Sequence, residues 1–529
     1  MRPASAAGRE LARRLHNRRE FLKLLGSGLG YTALASIPGC GGGGGGGGAP
    51  SAPPPAIPAA SEEYTALKRT SFGVRRDELL AMQSLGIDAY LEQQLAYEAI
   101  DDSTLEAAIL AQCPLIAQSP AQLILGFPDN VEPVARQMIA AAQYRQIFSP
   151  RQLYEVMVEF WSDHFNIHLL NGLGPTLKPE DDRLVIRAHA LGRYRDLLHA
   201  SARSPAMLFY LDNFYNLASA PNENYARELM ELHTLGVAGG YTEQDIKEVA
   251  RCFTGWTIHF PDGGGTYGTF VYVDAVHDDG TKVVLGNVIP AGGGEHDGET
   301  VLDILAAHPS TARFIATKLC RRFLADDPDA ASIDAVAAAF TQSDGDIKST
   351  LRALFATAAF RTTADLKVCR PAEYLAGMIR ALAPATPFPT DDGELFFFAQ
   401  AILGQLPYFW PTPDGYPDTK AYWASTGGLL NRWRLSFLSY ADQSPDIDVF
   451  DIEYDVLLEG ASTLAGIVDA LAGSVLMRPL SSQDRTYIVD WLVGVTGLAP
   501  DAPLPAGAPE AVAPAVAAVL LGSAYFQLK

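Results

Sequence analysis

Beyond Ser61, apolar residues recur three and four positions apart along most of the chain. That is the spacing of one helix face. It predicts helices over Glu63 to Phe72, Val74 to Leu85 and Asp88 to Tyr97, punctuated by Gly73 and Gly86. Further helices are expected over Glu132 to Phe148, Leu184 to His199, Thr242 to Phe253, Glu299 to Phe323, Ser332 to Phe340 and Ile347 to Phe360. Ser149 and Pro150 read as a cap and a first-turn proline for a helix running on to His168. One stretch breaks the period. Thr269 to Val273 and Lys282 to Leu285 are β-rich and bounded by Gly and Asp, so a small β-hairpin insertion is expected near 254–290. The fold class expected is mainly α, a multi-helix globular bundle with that insertion.

The first sixty residues differ in kind. Asn17-Arg18-Arg19-Glu20-Phe21-Leu22-Lys23 resembles a twin-arginine export signal, and the run Leu24 to Ile37 is too short and too glycine-rich to span a bilayer. Ile37-Pro38-Gly39-Cys40 resembles a lipobox, with Cys40 as the lipidated residue. An unbroken glycine run, Gly41 to Gly48, leads into a proline-rich stretch ending at Pro55. Such a segment has nothing to pack and serves as a tether, reaching on the order of 25 Å. Four parts are therefore expected: a signal at 1–39, a tether at 40–61, a main helical domain at 62–383 and a C-terminal helical lobe at 384–529 packed on it. These features point to a periplasmic or cell-surface protein, an outer-membrane lipoprotein held to the membrane by its lipid.

Charge narrows the partners. The chain of 529 residues carries a net charge of −21. Residues 1–39 hold seven Lys/Arg and two Glu, so the remainder has 33 positive and 59 negative side chains, a net of −26. A surface that acidic repels nucleic acid and favours neutral or cationic partners, such as a surface polymer or another exported protein. Of five cysteines, none forms a CxxC pair. Cys252 and Cys320 lie in helical apolar patterns, which favours buried thiols.

Candidate chemistry concentrates between Ser149 and His259, in two segments, Ser149 to His168 and Asn222 to Gly236, where His, Glu, Asn and Arg enter apolar helical pattern. On a straight helix His164 and His168 lie about 40° apart on the side of Leu153, Met157, Phe160 and Trp161, with Glu155 and Glu159 roughly opposite. In the second segment Asn224, Glu228, Glu231, Leu232 and Leu235 share a face, and His233 points away from it. Three roles are open. The first is structural, with Arg227 and Glu231 paired at i,i+4 and an Asn cap. The second is a transition-metal ion held by His164, His168, Glu228 and Glu231. The third is acid–base catalysis by Glu228 or Glu231 with His164, and with Asn224, Arg227 and Trp161 against the substrate. A second cluster, His277-Asp278-Asp279 with Glu295-His296-Asp297, has ligand types that suit a metal, but Asp-Asp-Gly is equally a turn. The loop Pro411 to Tyr422, with Tyr408, Phe409, Trp410 and Trp423, is aromatic-rich and reads as the wall of a carbohydrate or peptide groove or as a lid packed on the core. Gly263 to Gly268 fits GxGxxG by letter, yet a strand pattern follows it where a helix is needed.

Four stretches together are similar to the bacterial domain-of-unknown-function family DUF1800. They are Leu67 to Gly73, Phe160 to Phe165, Asn222 to Gly236 continuing to Thr254-Gly255-Trp256, and His308 to Ala312 with Pro413 to Pro417. The resemblance covers nearly all of 62–529. It implies an exported bacterial protein encoded beside a second exported family, and it singles out His164. It implies no particular reaction.

Overall fold

The computed structural model describes residues 57–127, 130–260, 266–382, 394–441 and 452–529. The twin-arginine stretch, Cys40, most of the tether and the lobe boundary at 383/384 lie outside them. Helix dominates, at 64%, about twice the share in an average globular domain. Outer helices bury one stripe, inner ones such as Pro371–Leu382 are buried all round, and together they share a large apolar core. Among the described residues no helix is long and apolar enough to cross a membrane.

The β insertion is two separate antiparallel pairs. Trp256–Ile258 (β1) pairs with Phe270–Tyr272 (β2), and Lys282–Val284 (β3) pairs with Asn287–Ile289 (β4). The two β-rich runs seen in the sequence do not pair with each other. Lys282–Val284 takes the nearer partner, Asn287–Ile289, across the tight turn Leu285–Gly286, which costs little closure entropy, whereas Phe270–Tyr272 pairs back with Trp256–Ile258.

Local breaks set the geometry of the centre. The helix expected to run to His168 is Gln152–His164, and Arg151 is its N-cap residue. Ser149 instead turns its hydroxyl to the Arg151 amide at 3.0 Å. The stretch expected as one helix over Glu299 to Phe323 is two, His296–Ala306 and Pro309–Phe323. His308 starts the second by accepting the Ser310 amide on Nδ1 at 3.1 Å, with Pro309 in the first turn. The segment after Asn222 is α-helical only over Glu223–Glu228, then widens into a π-turn over Leu229–Thr234. Thr234 donates its hydroxyl to Leu229 O at 2.7 Å across that turn.

The motif stretches are pinned by buried polar contacts. Lys68 donates to Phe526 O at 2.9 Å and Arg69 to Phe360 O at 2.9 Å. Gly73 lies so near the Pro371–Leu382 helix that a Cβ there would sit 2.4 Å from Gly377 Cα. The loop around Pro413 to Pro417 closes over the end of the Gln152–His164 helix. Asn166 donates to Trp410 O at 3.0 Å and to Thr412 O at 2.7 Å. Gly415 has φ +74°, and a Cβ there would meet Asp163 O at 2.1 Å. The aromatic loop is thus a packed lid, with Trp410 and Tyr416 ring centroids 5.0 Å apart. The described cysteines, Cys113, Cys252, Cys320 and Cys369, are all buried and form no disulfide.

Candidate functional site

His164 ends its helix inside the protein, 1% exposed. Its Nε2 lies 2.9 Å from the His233 carbonyl oxygen. A carbonyl can only accept, so Nε2 carries the proton and Nδ1 is a lone pair. That lone pair takes a hydrogen bond from Lys318 Nζ at 2.9 Å. Tyr194 also donates its hydroxyl to His233 O. The carbonyl is free for both donors because it belongs to the last turn of the 223–234 segment, where helical carbonyls lose their partners. Phe165, Phe314 and Trp161 close around the imidazole, with ring centroids at 4.6, 6.3 and 5.4 Å.

This arrangement holds His164 neutral. Burial, then the Lys318 and His233 side chains, push its pKa well below the ordinary imidazole value. Burial and Lys318 lower His233 to about 3, and its Nε2 is buried with no hydrogen-bond partner. Lys318 itself is half-buried, and burial brings its ammonium down to about 8 against the opposing pull of Asp163, Asp418 and Asp414. Among the described residues no carboxylate reaches it within ion-pairing distance. Glu228, half-buried nearby, is raised by burial, then by Glu231 and Asp414.

The remaining candidate residues are placed as follows. His168 lies beyond the helix end, so it does not stack one turn above His164. It faces the Phe409 ring, centroids 6.0 Å apart. Glu231 faces Arg227 at 3.5 Å, outside the imidazole cluster. The π-turn is the reason: one extra residue in the turn rotates His233 inward and Glu231 outward. His164 has both nitrogens occupied. The quartet His164, His168, Glu228 and Glu231 is therefore not assembled, and among the described residues no group of three or more His, Cys, Asp or Glu is arranged to hold a metal ion. Trp161 is fully buried and gives its indole N–H to Ala190 O at 3.0 Å, leaving no face for a ligand. Arg227 is engaged by Glu243 at 2.8 Å and Glu223 at 3.4 Å. Asn224 is exposed, with its amide N–H on the Asn222 cap at 2.9 Å. Glu155 and Glu159 leave the helix away from His164, as the helical count places them, and pair with Arg187 and Arg322 at 2.6 and 2.9 Å.

Lys318 and Tyr194 were not among the sequence candidates. One signal could have found Lys318. Phe314, Lys318 and Arg322 fall at i, i+4, i+8 on a helix whose other apolar positions are buried, and a lysine on such a stripe needs a reason.

Two cavities flank the Glu155 side of the same helix. One of about 40 Å³, room for a few waters, is bounded by Glu155, Glu159, Asp163, Arg187, Tyr408 and Tyr416. The other, about 390 Å³, lies between Tyr97, Tyr154, Tyr408, Arg145, Arg187 and Asp182. Its size is that of a small-molecule site. Tyr97 and Tyr154 stack at 4.3 Å beside it, and Arg145 is clamped by Glu106 through two bonds of 2.8 Å.

The fold and centre define a class: a mainly helical protein in which two of the motif segments, Phe160 to Phe165 and Asn222 to Gly236, meet at a buried imidazole paired with a half-buried lysine. The family model described as "Protein of unknown function (DUF1800)" matches residues 65–528. The chain belongs to that family. No curated protein and no solved structure matches it.

Proposed function

We propose that this is an exported, lipid-anchored envelope protein with an acid–base catalytic site at Lys318. The observation that carries the catalytic reading is the Lys318–His164 contact: a half-buried amine that hydrogen-bonds to a neutral imidazole, with no carboxylate ion-paired to it among the described residues. A lysine whose ammonium form is disfavoured enough to titrate near 8 is a competent proton donor and acceptor at envelope pH. His164 is then a positioning residue. Its Nε2–H is tied to His233 O, which fixes the ring and aims the Nδ1 lone pair at the amine. Glu228 and Asp414 supply the carboxylates that complete a donor–acceptor set around a polar substrate.

Amine-selective acylation of the folded protein across pH, followed by peptide mapping, tests this reading. Lys318 is expected to react with a midpoint near pH 8, while exposed lysines follow the ordinary value near 10.5. Lys318→Met abolishes that signal and any turnover found in an envelope-substrate screen. A Lys318 that reacts no earlier than surface lysines removes the catalytic assignment.

A second reading, non-catalytic binding of a surface polymer, is favoured by the 390 Å³ cavity with its stacked tyrosines and clamped arginines. Under it, Tyr154→Ala lowers polymer binding and Lys318→Met does not. The anchor is tested separately. Cys40→Ala is expected to move the protein from the membrane fraction to the soluble periplasm and to abolish palmitate labelling. Unchanged membrane association in that variant argues against lipidation.

A further inference from the structure

Away from Lys318, the second β pair holds a lysine and an aspartate that are shut off from water together. Lys282 opens β3, and Asp297 lies in the first turn of the His296–Ala306 helix. Their side chains are 0% and 2% exposed. Lys282 Nζ contacts Asp297 Oδ2 and the Asp278 carbonyl. His277, also buried, places Nε2 at 3.2 Å from the same carboxyl oxygen and 3.4 Å from Nζ. Its Nδ1 lies 2.8 Å from Thr254 O, so the Nδ1 proton is committed to that carbonyl. Nε2 is then an acceptor, and Lys282 Nζ is the donor shared by Nε2 and Oδ2. The surroundings are dry. Trp256 and Cys252 are both fully buried beside the pair, and Tyr272 meets the His277 ring at 5.6 Å. Gly293 is needed for the close approach, because a Cβ there would lie 2.0 Å from Asp297 Oδ1.

We infer that Lys282 and Asp297 condense to an intramolecular isopeptide bond. Burying two separate charges is costly, and the amide removes both. Transfer of one proton from the ammonium to the carboxylate gives the amine–acid pair, and the neutral Nζ adds to Asp297 Cγ. The new C–N bond forms and the bond from Cγ to one carboxyl oxygen breaks. His277 Nε2 takes one proton from the nitrogen and delivers it to the departing oxygen, which leaves as water. The balance is amine plus carboxylic acid giving amide plus water, with no oxidant or activated co-reactant. The two groups are already held in contact by the fold, which supplies the entropic advantage of an intramolecular reaction. The product replaces two buried charges by one neutral amide. It also clips β3 to a helix, and the β3–β4 pair is too small to be stable alone. This assignment is independent of the Lys318 site.

Tryptic mapping of the denatured full-length protein decides the matter. Between Arg251 and Arg313 the only cleavage point is Lys282. With the bond in place, trypsin leaves a single peptide 252–313, one water lighter than its sequence requires, and fragmentation yields no ions between Lys282 and Asp297. Asp297→Ala restores cleavage at Lys282, and His277→Ala slows accumulation of the light peptide after refolding. Recovery of separate peptides 252–282 and 283–313 at full mass from the wild-type chain overturns the inference, as does an uncut peptide of full mass.

Discussion

His164 and His233 lie side by side, ring centroids 6.1 Å apart, in a pocket that also holds an ammonium group. Neither ring can take up a proton there without facing Lys318. This makes the folded state sensitive to acid. His233 titrates at about 3 in the fold against the ordinary 6.5, so between those values the unfolded chain binds more protons than the native one. Stability is therefore full above about pH 6.5 and falls as pH drops towards 3. For His233 the loss is on the order of 5 kcal/mol. Urea unfolding across pH 7 to 3 is expected to show that slope, and His233→Gln, which stays neutral, is expected to flatten it. Lys318 works in the opposite range: its depressed value means stability rises as pH climbs from about 8 towards 10.5.

At the scale of elements, two irregularities build the centre. The π-turn at Leu229–Thr234 brings His233 and its carbonyl inward. The lid loop then caps Asp163, and only a glycine fits at its closest point. Gly415 combines a left-handed φ with a backbone approach that no side chain tolerates. Gly415→Ala is expected to cost about 2–4 kcal/mol in denaturant titration and to lift the loop from the helix end. Within Pro413 to Pro417, Gly415 is thereby explained by packing. Helix periodicity predicted the regular parts of both segments and could not predict these two, because an extra residue in a turn changes no hydrophobic pattern until neighbours reward it.

Across the whole molecule, distant segments meet in a buried ionic network. Arg322 bridges Glu159 and Glu373, and Arg370 engages Asp163. Lys529 reaches Glu373 at 2.5 Å, and Lys367 reaches Asp326 at 2.8 Å. Burial alone would raise Glu373, but Arg322 and Lys529 overcome it and hold the carboxyl far below the usual range. Removing one partner leaves the others as unpaired buried charges. Arg322→Met is expected to cost about 3–5 kcal/mol, measured as a lower denaturation midpoint. The network also ties the last residue into the core, since Lys529 exchanges backbone hydrogen bonds of 3.0 and 2.9 Å with Lys367. Truncation at the C-terminus should destabilise the protein far more than loss of an ordinary tail.

The sequence by itself determined the helical class, the presence of a β-rich break near 254–290, the inward side of His164 and the family. Each of these rests on local periodicity or on residue strings, which need no partner to be read. Tertiary structure alone decided which polar groups meet. Lys318 lies 154 positions from His164 along the chain, and Glu231 left the centre while His233 entered it through a single π-turn. Contacts of that kind depend on how elements cross and on how each buried donor finds an acceptor, and no spacing within one segment encodes them.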